Sequence, residues 1–106
     1  MFDYFYGAQS EQFAFYQVPK VLFTNDRFKY LSAEAKTLYG ILLDRVPLSA
    51  KNGWIDEQGR VYIICTIEEI MADMNCGNKK AVQLLADLET KVGLIERKRQ
   101  GLGKPN

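Results

Sequence analysis

The spacing of apolar residues changes along the chain, and each change predicts an element. In LSAEAKTLYGILLDRVP, residues 31–47, Ala35, Leu38, Leu42 and Val46 recur at steps of three and four, the period of one helix face. Ser32 stands where a cap is needed, and Glu34 falls in the first turn, where the helix dipole favours an anion. Pro47 predicts the end of this helix. Gly40 in its middle costs about 1 kcal/mol against alanine, which predicts a close approach by a second helix. In GWIDEQGRVYIICT, residues 53–66, the period shifts toward that of strands. Residues 54–56 and 61–65 predict a short hairpin with Gly59 in its turn, the second strand apolar on both faces.

A helical period returns in TIEEIMADMN, residues 66–75, where Thr66 and Glu69 have capping-box spacing and Ile67, Ile70, Met71 and Met74 share a face. Gly77 predicts a tight turn, and a second helix is expected over 79–92, with Asn78 as its cap and Gly93 just past its end. Two short helices joined through a glycine have the helix-turn-helix layout. On a helical wheel, Ala81, Val82, Leu84, Leu85, Leu88 and Val92 fall on one side of the second helix. Lys79, Gln83, Asp87 and Thr90 lie opposite, flanked by Lys80 and Lys91.

Lys79 and Lys80 stand at the wrong end of that helix. A cation beside the partly positive N–H groups of a helix start is unfavourable by roughly 0.3–1 kcal/mol. A solvated face accounts for most such pairs, but here the tail LIERKRQGLGKPN follows. Leu94 and Ile95 anchor a strand, residues 96–99 are charged, and Gly-Leu-Gly-Lys-Pro turns. That order of capped helix, turn, basic-fronted helix, basic strand and glycine tip predicts an α+β winged helix-turn-helix that binds DNA, its lysines neutralised by phosphates. The wing is truncated at its tip, so the chain reads as a piece of a longer protein.

Composition bounds the alternatives. At 106 residues and 47% apolar, the chain suits one domain with a modest core. Net charge is only +1, but from residue 78 onward seven bases (Lys79, Lys80, Lys91, Arg97, Lys98, Arg99, Lys104) face three acids (Asp87, Glu89, Glu96). Ten of the thirteen aromatics lie in residues 1–30. They predict an N-terminal arm packed on the domain, residues 31–106, or on a homodimer partner, since so small an interior hides few rings. The sequence shows no signal peptide and no apolar run of ~20 residues, and its two cysteines, Cys65 and Cys76, suit reduced thiols in a cytoplasmic protein.

There is no histidine, which removes most hydrolytic triads and histidine metal sites. Paired acids such as Glu68–Glu69 and Asp56–Glu57 are adjacent and diverge. Cys76 has no accompanying base, and Gly101 and Gly103 form no phosphate-cradling loop. The expectation is therefore a protein that is no enzyme and uses neither cofactor nor metal.

The segments FYQVPKVLFTNDRFKYLSAEAKTLYGILLDR, NGWIDEQGRVYI and CGNKKAVQLLADLETKVGLIERKRQGLGKPN together resemble the N-terminal domain of the RepA_N family of plasmid replication initiators from low-GC Gram-positive bacteria. The resemblance runs from about Phe13 to the last residue. It implies a winged helix that binds repeated double-stranded DNA sites at a plasmid replication origin as a dimer, and a separate C-terminal domain that recruits host replication proteins. It also implies DNA contacts at Asn78, Lys79, Lys80, Gln83, Arg97, Lys98, Arg99 and Lys104, to which the flanking base Lys91 is added from the wheel. The lysines and arginines would hold phosphates, while Asn78 and Gln83 suit adenine edges. A winged-helix transcriptional regulator and a protein-interaction winged helix working through its aromatic arm are the alternatives.

Overall fold

In a computed structural model the fold is described over residues 13–98. The first four arm aromatics (Phe2, Tyr4, Phe5 and Tyr6) and two wing bases, Arg99 and Lys104, lie outside the described residues. An extended segment leads into a short helix α1 (Val21–Thr24) and a 3₁₀ turn (Asp26–Phe28). Helix α2 (Ala33–Asp44) follows, then α3 (Val46–Lys51), α4 (Ile67–Met74) and α5 (Asn78–Ala86), which runs on into a π-helical segment (Asp87–Lys91).

The helix starts follow local chemistry. The Ser32 hydroxyl accepts from the Ala35 N–H at 3.1 Å. Thr66 and Glu69 form the reciprocal capping box, with the Thr66 hydroxyl accepting from the Glu69 N–H and the Glu69 carboxylate from the Thr66 N–H. Pro47 corrects an expectation: it opens α3 instead of closing the region to helix. Proline has no N–H to lose in a first turn and its φ suits one, so Pro47 sits in the first turn of α3, while Arg45 is both the C-cap of α2 and the N-cap of α3.

Leu38, Leu88 and Ala81 are fully buried, and with Leu22, Phe28, Leu31, Ala35, Leu42, Ile70, Leu84, Leu85 and Val92 they form one core. Helices α4 and α5 pack on one another and α2 packs on both. Fully burying one leucine contributes about 1.5–3 kcal/mol, so this cluster is what holds α2, α4 and α5 together. An Arg45 fork reinforces it, reaching from the α2–α3 junction to Glu69 at 3.0 Å and Asp73 at 2.8 Å on α4.

Three further expectations are corrected, for the hairpin, the neighbour of Gly40 and the cap of α5. The hairpin reduces to a single antiparallel bridge between Ile55 and Val61, the only β pairing among the described residues. The Asp56 carboxylate takes the N–H groups of Gln58 and Arg60 and the Arg60 guanidinium, so a side chain organises the tip. A two-stranded ribbon is marginal without a third strand. Gly40 does mark a close approach, but to the extended N-terminal segment. A Cβ there would lie 2.9 Å from Val18 Cγ2 and 3.0 Å from the Gln17 carbonyl oxygen. The left-handed residue of the turn before α5 is Asn75, at φ 54, while Gly77 is extended. Gly77, not Asn78, is the cap of α5, because the Ala81 N–H bonds the Gly77 carbonyl and closes the first turn one residue early.

The end of α5 departs from a simple helix through 92. Its last turn widens to π form, and Gly93 (φ 68) then reverses the chain so that the Leu94 N–H reaches the Leu88 carbonyl at 2.8 Å. Of the arm's aromatics, Phe28 enters the core, while Phe13, Phe15, Tyr16, Phe23 and Tyr30 are exposed. Phe23 covers the ammonium of the buried Lys36, 4.3 Å from its ring centre. No helix among the described residues is long and apolar enough to cross a membrane.

Candidate nucleic-acid interface

Helix α5 buries Ala81, Leu84 and Leu85 and turns Asn78, Lys79, Lys80, Val82 and Gln83 to solvent. The turn from Asn75 to Gly77 that precedes α5 carries no charge. Asn78 and Lys79 have no side-chain partner among the described residues. Both are free to meet a ligand, and the first-turn N–H groups beneath them attract anions.

Val82 was expected on the core side and is instead 43% exposed. The core covers only the stripe through Ala81, Leu84, Leu85 and Leu88, which leaves Val82 at its edge. Lys80 is not free: its ammonium lies 3.1 Å from the Glu34 carboxylate of α2. Gln83 donates from Nε2 to Asp87 Oδ1 at 2.8 Å, one turn along the same helix.

The remaining predicted bases separate. Lys91 sits at the far end of the helix and donates to the Tyr30 carbonyl at 3.3 Å. Arg27, which the sequence reading passed over, donates to the Val92 carbonyl at 2.9 Å. Both cations lie where the dipole favours them and tie the helix end to residues 27–30. No periodicity signals Arg27, since its partner is remote in sequence. Arg97 is clamped to Glu89, guanidinium to Oε1 at 2.9 Å and backbone N–H to Oε2 at 3.1 Å. Lys98 is exposed without an ion pair among the described residues.

The pKa directions follow these contacts. The Thr66 N–H and the Arg45 guanidinium hold Glu69 below the ordinary carboxylate value, and Arg97 does the same to Glu89. Burial opposes charge on Arg45, but its hydrogen bonds to Glu69 and Asp73 prevail and raise it. Burial pushes the Cys65 thiol up, which keeps it protonated and unreactive.

The model of the RepA_N family, Replication initiator protein A (RepA) N-terminus, matches residues 14–106. A curated relative, the 41 kDa protein of Lactobacillus helveticus, is 29% identical over 92 residues, which cover 87% of this chain and 26% of that protein. The chain thus spans about a quarter of the length of that relative. A solved structure described as the N-terminal domain of a DNA binding protein is 40% identical with a TM-score of 0.79, covering 99% of this chain and 79% of that one. The structure of an MDR initiator is 44% identical with a TM-score of 0.76, over 92% of this chain and 79% of that one. The structure of a Rep–DNA complex is 41% identical with a TM-score of 0.79, over 97% of this chain and 78% of that one. The chain therefore belongs to the family of replication initiator protein A N-terminal domains.

Proposed function

We propose that this domain is the sequence-specific double-stranded DNA reader of a plasmid replication initiator, with α5 as its recognition helix in the major groove. The observation that carries the reading is the front of α5, where Asn78, Lys79, Val82 and Gln83 form an exposed face without an acid among them. Its likeness to the protein of the Rep–DNA complex supports the same reading. Lys79 and, once released from Glu34, Lys80 hold phosphates. Asn78 and Gln83 meet base edges, where amide side chains pair bidentately with adenine. Lys98, Arg99 and Lys104 are assigned to a wing that completes the winged-helix form. Arg97 and Lys91 anchor the helix end, since their charges are already engaged.

In the same reading the initiator binds repeated origin sites as a homodimer in the cytoplasm, the exposed Phe13, Phe15, Tyr16 and Phe23 supplying contact area between subunits. Host replication proteins are recruited by sequence beyond this domain. The domain needs no cofactor and performs no chemistry.

Fluorescence-anisotropy titration across a salt series, with origin-repeat and scrambled duplexes, tests the reading. Tighter binding to the repeats, with log affinity falling at a slope of about 0.9 per phosphate neutralised, is expected. Equal, weak binding to both duplexes overturns it.

A further inference from the structure

Resting on the DNA reading, the geometry points to a specific division of labour on α5: Val82 and Gln83 together read an adenine–thymine step, and Asp87 fixes the amide that does so. On the helix, positions 82 and 83 lie one turn beyond Lys79 and straddle its line, so a groove that admits Lys79 meets both. Gln83 is held by Asp87 at 2.8 Å. A carboxylate only accepts, so the nitrogen of the amide must face Asp87 and its oxygen must face away. The amide then presents an outward acceptor and one spare N–H. Adenine offers the complement, an N6–H donor beside the N7 acceptor.

Val82 contributes a different signal. It is 43% exposed although both of its helical neighbours toward the core, Ala81 and Leu85, are buried. Two methyl groups beside a polar amide suit the 5-methyl of thymine, which alone distinguishes that base edge by apolar contact. Asp87 itself is too tied to Gln83 to read bases and is a positioning residue.

The test begins with selection of bound duplexes from a randomised pool by the wild-type chain. Each thymidine is then replaced singly by deoxyuridine, which lacks the methyl, and each adenine by its 7-deaza analogue, which lacks N7. One thymine is expected whose methyl loss weakens wild-type binding about fourfold, with the effect absent in Val82→Ala. A neighbouring adenine should lose roughly 5- to 100-fold on 7-deaza substitution, and lose nothing further in Gln83→Ala. Asp87→Ala, which removes the acceptor, should lower the preference for adenine at that one pair relative to the other selected positions, a change that mere loss of structure would not give. Wild-type insensitivity at every thymine overturns the assignment of Val82. Full adenine preference in Asp87→Ala overturns the role of Asp87. If no duplex is selected at all, both this inference and the DNA reading fall. If selection succeeds but the analogues have no effect, the inference alone falls.

Discussion

The ammonium of Lys80 lies 3.1 Å from the carboxylate of Glu34, across the boundary between α2 and α5, with both groups about half exposed. An exposed pair of this kind contributes ~0–1 kcal/mol and is screened by salt, so it holds Lys80 without immobilising it. A phosphate must displace Glu34 before it can use Lys80. Glu34→Gln should therefore tighten binding to cognate and scrambled duplexes alike, by at most about fivefold at low salt. The salt slope should steepen by about one phosphate. Anisotropy titrations at several salt concentrations check both, and a gain confined to the cognate duplex would contradict the account.

Gly40 gives a prediction about folding. Alanine in a helix interior gains about 1 kcal/mol over glycine, but here the new methyl would press on Val18 Cγ2 at 2.9 Å and on the Gln17 backbone at 3.0 Å. Overpacking of this kind costs typically 1–3 kcal/mol, and a backbone atom yields less readily than a side-chain tip. Gly40→Ala should destabilise by ~1–2 kcal/mol in urea unfolding. A net gain would mean that the extended segment can lift from α2 at little cost.

Much of the architecture follows from local signals. The Ser32 cap, the Thr66–Glu69 box, the leucine spacing of α2 and the left-handed Gly93 all rest on contacts within a few residues, and the chain alone carries them. The Gly40 signal is legible as a close approach, but its partner is not, because nothing local distinguishes a helix from a non-helical segment crossing at that point. The same limit hid Arg27, Glu34 and the Arg45 fork, whose partners lie far off in the sequence. Val82 misled because a wheel assumes that the core covers half of a helix, whereas here it covers a narrower stripe. The π-helical turn widens the helix by part of a residue per turn, so wheel positions after Asp87 drift from their straight-helix places. At the front of α5 the helical period alone places Asn78, Lys79, Lys80 and Gln83 on the exposed side, but it carries no sign that Lys80 is held by Glu34 and Gln83 by Asp87.

Glu69 serves both the cap of α4 and the Arg45 fork, and its pKa is lowered in the folded chain. A depressed carboxylate stabilises the fold fully above its ordinary, unfolded-chain value, and this contribution is lost as pH falls through the lower folded value. Glu69→Gln retains the reciprocal cap, for which glutamine suffices, and deletes the charge. At neutral pH it should cost about half a kcal/mol, the figure for a largely exposed pair. Its Tm should then fall less steeply than that of the wild type between pH 5 and pH 3. Parallel Tm–pH profiles would show that Glu69 takes no part in the acid limb.

Glu89 binds Arg97 through both carboxylate oxygens, one of which accepts the Arg97 backbone N–H at 3.1 Å. That contact docks the residues after Gly93 against the helix end, beside the bond from the Leu94 N–H to the Leu88 carbonyl. The amide of Arg97 should therefore exchange its hydrogen slowly for an exposed residue. Glu89→Ala removes the acceptor and should bring the Arg97 amide to the rate of an unprotected chain. The Leu94 amide, whose partner is the backbone, should slow or quicken little. Acid should do the same as the substitution, since Arg97 holds the Glu89 pKa down and the clamp opens only as pH falls through that lowered value. Amide exchange followed by NMR in wild type and Glu89→Ala separates the two positions. Fast exchange of Arg97 in the wild type at neutral pH would place the clamp outside the solution structure and return Arg97 to the set of free bases available for phosphate.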